Sequence, residues 1–269
     1  MDFDGLVYAD RSERGKLRVA GEQRAWFLDQ ILTQFFEEMT PGEAREAAMI
    51  TVHGRMQAHL EALATDDSFL LHFEPELRAS LPEALARYIF ATRVEVHDLS
   101  DDLGLVLVAG ANWRALGGGA LAAHPTNSLG TDAGYLWTER AAVGELLESL
   151  AAAGAREAGE DELETVRIAN GVPRWGRDMD NKTFPQEAGV EGRAVHFDKG
   201  CYLGQEAMAK IHFRGKVNRR LRTIEPAAPV AAGADVVVDG HKVGAVTSAA
   251  GPRALAMLRY SIEPGTEVT

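Results

Sequence analysis

Residues 69 to 109 read as strand, helix, strand, strand, and that order restricts the chain to an α+β architecture. Phe69 to Phe73 is a β-type run, Glu76 to Phe90 has helical spacing with Pro82 near its start, Arg93 to His97 alternates, and Leu105 to Ala109 is continuously apolar. Gly134 to Thr138 adds a strand and Ala142 to Ala152 a helix. Upstream, Lys16 to Val19 alternates as a short strand. Gln23 to Gln34 sets Trp26, Phe27, Ile31 and Leu32 on one helical side, and Ala47 to Val52 is a strand ending in the turn His53-Gly54.

Together these elements form a unit resembling a ferredoxin-like half. After Pro226 and Pro229 the character changes: Val236 to Val238, Val243 to Thr247 and Ala254 to Leu258 are short strands, and Asp239-Gly240 is a hairpin signal. A small C-terminal β-barrel is expected, dividing the chain into an α+β region of two intertwined subdomains, 1–215, and a terminal domain, 216–269.

The 269 residues include one cysteine, so no disulfide forms within the chain, and a reducing cytoplasm is the expected setting. No apolar run is long enough to span a membrane. A net charge of −12 excludes binding of nucleic acid by bulk electrostatics, leaving only local patches. The sharpest is Lys210 to Arg222, which carries Lys210, Arg214, Lys216, Arg219, Arg220 and Arg222 and no acid. Ile211 and Phe213 alternate with the cations, so the segment reads as a strand with its apolar side inward and a surface for a carboxylate, a phosphate or tRNA outward.

Several tempting features carry no chemistry on this reading. His53 and His59 lack a metal-ligand spacing, and no metal is expected. Gly117-Gly118-Gly119 lacks the lysine of a phosphate loop. Glu157, Glu160, Asp161, Glu162 and Glu164 precede or open a helix and read as solvated acids favoured by its dipole. The loop Arg174-Trp175-Gly176-Arg177-Asp178 that follows is better suited to lining a site.

After the strand-like Ala194 to Phe197 comes the candidate for chemistry, Cys201, within Lys199-Gly200-Cys201-Tyr202-Leu203-Gly204-Gln205-Glu206. The residues after Leu203 favour a helix, which places the thiol near a helix N-terminus, where the dipole and Lys199 would favour a thiolate. Such a thiolate attacks electrophiles or donates to iron, but one cysteine cannot hold an iron-sulfur cluster alone.

That eight-residue stretch resembles the signature of the YgfZ family of folate-binding proteins, related to the aminomethyltransferase (T protein) of the glycine cleavage system. The resemblance extends to Gly171-Val172-Pro173-Arg174, Gly176, Asp178, Pro185 and Glu187, and to Asp239-Gly240 and Val246-Thr247-Ser248. It implies an aminomethyltransferase-like fold around a central opening that accepts a tetrahydrofolate. It also implies a role in making or repairing iron-sulfur enzymes, including tRNA-modifying ones, with Cys201 as the functional thiol and Lys199, Gly200, Tyr202, Gly204, Gln205 and Glu206 as its motif. A folate-type ligand is expected near Tyr202, Arg214, Asp178 and Arg174. Related transferases carry acids where this chain has Ala58, His59 and Ala169, which argues against aminomethyl transfer. A one-carbon transferase and a non-enzymatic scaffold for tRNA or protein are the alternative readings.

Overall fold

The computed structural model describes residues 1–90 and 92–262, apart from the side chain of Arg214. Three antiparallel-rich sheets build the molecule. The first half contains β1 (Val7–Asp10), β2 (Gly15–Ala20), α1 (Arg24–Ile31), β3 (Ala44–Ile50), β4 (Met56–Ala64), β5 (Ser68–Phe73), α2 (Ser80–Ala86), β6 (Glu95–Asp98) and β7 (Leu103–Ala109). There follow β8 (Ala122–Thr126), β9 (Ala133–Glu139), α3 (Val143–Ala152), β10 (Arg156–Glu157), α4 (Glu160–Ala169), α5 (Pro185–Ala188), α6 (Glu191–Ala194) and α7 (Gln205–Arg214). The chain ends in β11 (Arg219–Ile224), β12 (Asp235–Val238), β13 (His241–Ala250) and β14 (Arg253–Arg259).

The strand orders are β10-β1-β7-β9-β8, β3-β4-β5-β2-β6 and β11-β14-β13-β12. Pairing is antiparallel except where β1 meets β10. The apolar run in β7 explains its central place, since all seven of its residues are buried. The expected hairpin forms at Asp239-Gly240, both with positive φ, between β12 and β13. α7 ends at Arg214 and β11 begins at Arg219, so residue 215 falls in the connection between them. No helix among the described residues is long and apolar enough to cross a membrane.

Four expectations need correction. The helix expected over 76–90 is confined to α2 and a preceding 3-10 turn, Pro75–Leu77; Pro82 sits in the first turn of α2, where its missing N–H costs no bond. In α1, Phe27 and Ile31 are buried with Leu28, but Trp26 points outward and is 43% exposed. The strand expected over 194–197 is the short helix α6 followed by irregular chain.

The basic segment is not one strand either. Gln205 to Lys210 are good helix formers and carry α7 through Arg214, so that Met208 is buried and Phe213 is 68% exposed rather than inward; only Arg219 to Ile224 is extended. Gly204 caps this helix at φ 81°, with a Cβ there falling 2.3 Å from the Thr51 carbonyl oxygen, a position only glycine can hold.

Candidate functional site

The cysteine stretch is a loop held at both ends and open in the middle. Lys199 is buried, and its ammonium donates to the carbonyl oxygens of Leu32 (2.8 Å) and Gln34 (2.5 Å), with Asp29 3.7 Å away. Burial lowers the pKa of this lysine to about 8, against the pull of Asp29. Tyr202 is buried as well, which raises its phenol to about 12. The Leu203 N–H donates to Gln30 (3.0 Å), and Gly204 then opens α7. Between the anchors, Gly200 and Cys201 are exposed.

Lys199 is therefore not the thiol's counter-ion, as its place in the sequence suggests, because its charge is directed into the protein. Cys201 itself precedes the helix cap by three residues. It lies on the rim of a surface groove of about 400 Å³ whose walls are largely aromatic: Trp26, Phe27, Tyr88, Phe90 and Tyr202.

The remaining residues expected to bind a ligand lie elsewhere. Arg174 borders a separate central cavity that includes neither Cys201 nor Tyr202 in its lining. Asp178 is buried behind it, accepting from Arg167 Nη1 (2.7 Å), the Arg174 N–H (3.0 Å) and the Thr247 hydroxyl (2.5 Å), so its oxygens are engaged by protein. The side chain of Arg214 falls outside the described residues. Tyr202, Asp178 and Arg174 thus do not converge on one ligand.

The cavity was not evident from sequence. Its acids come from distant segments, and each is held by a hydrogen-bond donor. Glu46 on β3 lies directly opposite Glu61 on β4. Like charges facing across a strand pair repel unless each has its own partner. Glu46 is held by Arg193 (2.9 Å) and His59 (3.2 Å); burial would raise its carboxyl, but these partners bring it down to about 2. Glu61 accepts from the Thr126 hydroxyl at 2.7 Å.

Glu74 pairs with Arg14 and with Arg174 (3.0 Å), and these cations overcome its burial to place it at about 2. Arg174 reaches on to Glu160 and to Glu164 (3.2 Å), two of the five acids expected to be solvated. Their i, i+4 spacing puts both on the cavity side of α4, a signal that the sequence does contain.

Whether this lining fits a folate is decided by room and by free valences. Carboxylates suit a pterin and guanidinium groups suit a glutamyl tail. Here they are paired with one another, and the space left is about 60 Å³, against roughly 300–1,000 Å³ for small-ligand pockets. In this arrangement the residues do not fit a folate. Ala58 is a buried strand residue, and Ala169 contributes only its carbonyl, to Arg253 (3.0 Å).

Behind the cavity, ligand atoms of Glu61, His72 and His124 lie within 4.8 Å of one another. His72 Nδ1 accepts from Arg14 Nε–H (3.2 Å) and His124 Nδ1 from Trp137 Nε1–H (3.2 Å). With each Nδ1 accepting, the ring proton sits on Nε2, and the two Nε2 atoms, 3.2 Å apart, both face the Glu61 carboxylate, 3.7 Å from each. Metal-ligating histidines have the reverse pattern, donating at the far nitrogen to an acceptor. Burial first, then Arg14, push His72 far below its ordinary pKa, so the ring is neutral. The cluster joins two sheets and is not built for a cation.

Residues 218–263 match the CAF17 C-terminal beta-barrel domain family. Over 274 residues the chain is 31% identical to a chloroplastic Arabidopsis thaliana protein named as a transferase, covering 93% of this chain and 63% of that protein's length. It is 27% identical to the tRNA-modifying protein YgfZ of Klebsiella pneumoniae, over 78% of this chain and 68% of that one. It is also 27% identical to the mitochondrial iron-sulfur cluster assembly factor IBA57 homolog of Mycosarcoma maydis, over 77% of this chain and 54% of that one. The fold is shared with the glycine cleavage system aminomethyltransferase T of Bartonella henselae, with a TM-score of 0.87 at 19% identity, covering 98% of this chain and 81% of that one. With the motif at Cys201 and the matching terminal domain, these likenesses make the chain similar to YgfZ-type proteins, on the fold of the T protein of the glycine cleavage system.

Proposed function

We propose that the protein supports the assembly or repair of iron-sulfur enzymes, tRNA-modifying ones among them, through the thiol of Cys201. The supporting observation is the outward presentation of Cys201 between two buried anchors, Lys199 and Tyr202, beside an aromatic groove. A thiol placed this way reaches a group on another molecule, whereas an inert packing cysteine would be enclosed. It offers one ligand, so the others for any iron come from the client enzyme. The names of the Klebsiella and Mycosarcoma relatives support this reading, while that of the Arabidopsis relative supports a transferase.

A folate-type ligand belongs to the reading at the level of the family only, and no step of the proposal uses one. The setting proposed is the cytoplasm. The test is complementation of cells that lack the protein. Wild-type chain should restore an iron-sulfur dehydratase and a tRNA-thiolating enzyme, while Cys201→Ala and Cys201→Ser should not. Full restoration by Cys201→Ala would remove the thiol from the function.

A further inference from the structure

The outer end of α7 carries a second exposed feature, distinct from the cysteine loop. Phe197 and His212 stack with ring centroids 3.7 Å apart and planes at 21°, and Phe213 meets His212 edge-on at 4.7 Å. Phe213 remains 68% exposed and His212 is exposed as well. Rings that pack against one another while open to water gain little of the burial that normally stabilises aromatic side chains.

Charge singles out the kind of partner. Lys210 lies one turn before Phe213 on the same helix side. Lys216 lies just beyond the helix. Both are exposed, and neither has a carboxylate partner among the described residues. Lys216 makes only a cation–π contact with Tyr260, at 5.7 Å. By contrast, Arg219 and Arg220 are engaged by Glu187 (3.1 Å) and Glu191 (3.2 Å). Glu206 lies one turn before Lys210 on the same helix side and Asp198 follows Phe197 as an exposed acid, but neither pairs with Lys210 or Lys216 among the described residues. Two lysines without a carboxylate partner among the described residues thus lie within three positions of Phe213 in the chain, on a protein whose net charge is −12.

We propose that Phe197, His212 and Phe213, with Lys210 and Lys216, form a stacking platform for single-stranded nucleic acid. Unpaired bases stack on open aromatic faces whatever their identity, and flanking ammonium groups meet the phosphates. A duplex hides its base faces and gains only the electrostatic part. The surface is independent of Cys201, so the platform and the thiol reading stand or fall separately.

The test is fluorescence anisotropy of the full chain with labelled single strands of about 12 nucleotides, one RNA and one DNA, and with the corresponding duplex. Both single strands should bind more tightly than the duplex, and a preference between them identifies which sugar is favoured. Phe213→Ala should weaken binding about tenfold with an unchanged melting temperature, while Phe213→Trp keeps it. Replacing Lys210 and Lys216 by Gln should flatten the dependence of log affinity on log salt by about 1.4, at ~0.7 per phosphate contact. Absence of saturable binding at low salt overturns the proposal. So does equal binding of duplex and single strand, or an affinity untouched by Phe213→Ala; the rings would then belong to a protein-binding face.

Discussion

The ammonium of Lys199 lies 4.9 Å from the centroid of the Tyr202 ring, and Gly200 and Cys201 bridge the two as an exposed two-residue span. The anchoring is done entirely by the flanking residues, leaving the thiol without structural duty. Chemistry at Cys201 can therefore vary without disturbing the fold around it.

Replacing Lys199 by Met strands the carbonyls of Leu32 and Gln34 and leaves Asp29 without its cation. The expected loss is about 2–4 kcal/mol in urea unfolding, with faster amide exchange across residues 200–203. An unchanged midpoint would show that the loop is not held by this lysine.

Arg174→Ala leaves Glu74, Glu160 and Glu164 facing one cavity with a shared cation removed. A cost of about 1–3 kcal/mol is expected, because Arg14, Arg11 and Arg167 still pair with Glu74, Glu160 and Glu164, and Glu160 is half exposed. Adding Glu74→Gln should recover part of it, and a double-mutant cycle measures how much. With Arg174 in place, titration calorimetry with tetrahydrofolate should give no saturable heat; tight binding would mean that the ion pairs open readily.

Acid weakens the protein through the same cavity. Glu46 and Glu74 titrate at about 2 in the fold against 4.5 in the open chain. A carboxyl lowered by folding contributes stability above its unfolded value, and that contribution disappears as pH falls from 4.5 toward 2. Each amounts to about 3 kcal/mol. Denaturation midpoints followed over this window should fall steeply for the wild type and less for Glu46→Gln; parallel curves would rule out Glu46 as a source.

Much of the fold is legible because its strands carry local patterns: β2, β5, β7 and β9 are read within a few residues, and Asp239-Gly240 marks its hairpin. β4 also alternates, Met56, Ala58, Leu60 and Ala62 against Gln57, His59 and Glu61, but its alanines, leucines, methionine and glutamate are helix formers and mask the pattern. Glu61 is nonetheless buried, its carboxylate taken by Thr126 from another sheet. No local window reveals such a partner. The cysteine loop is legible because its glycines and its one thiol are contiguous. The cavity is hidden for the opposite reason: its charges run from Arg11 to Arg193, and each reads as a surface group until the chain brings its counter-ion across.

Gly204→Ala tests the entry to α7. An alanine at φ 81° with its Cβ 2.3 Å from the Thr51 oxygen forces the backbone to move. A loss of about 1–3 kcal/mol is expected in thermal or urea unfolding. A neutral substitution would show that the loop before α7 adjusts freely, contrary to its anchoring.

The carboxylate of Asp178 orients Arg174 through its backbone N–H, yet one of its donors is Thr247, and Arg167 beside it donates also to Ser248 at 2.9 Å. Both hydroxyls belong to β13. During synthesis this strand emerges long after the cavity-lining segments, so the last locks on Arg174 are fitted only when the terminal sheet docks. The support behind Arg174 is thus completed late, and a nascent chain lacking β13 holds Asp178 without its Thr247 donor and Arg167 without Ser248.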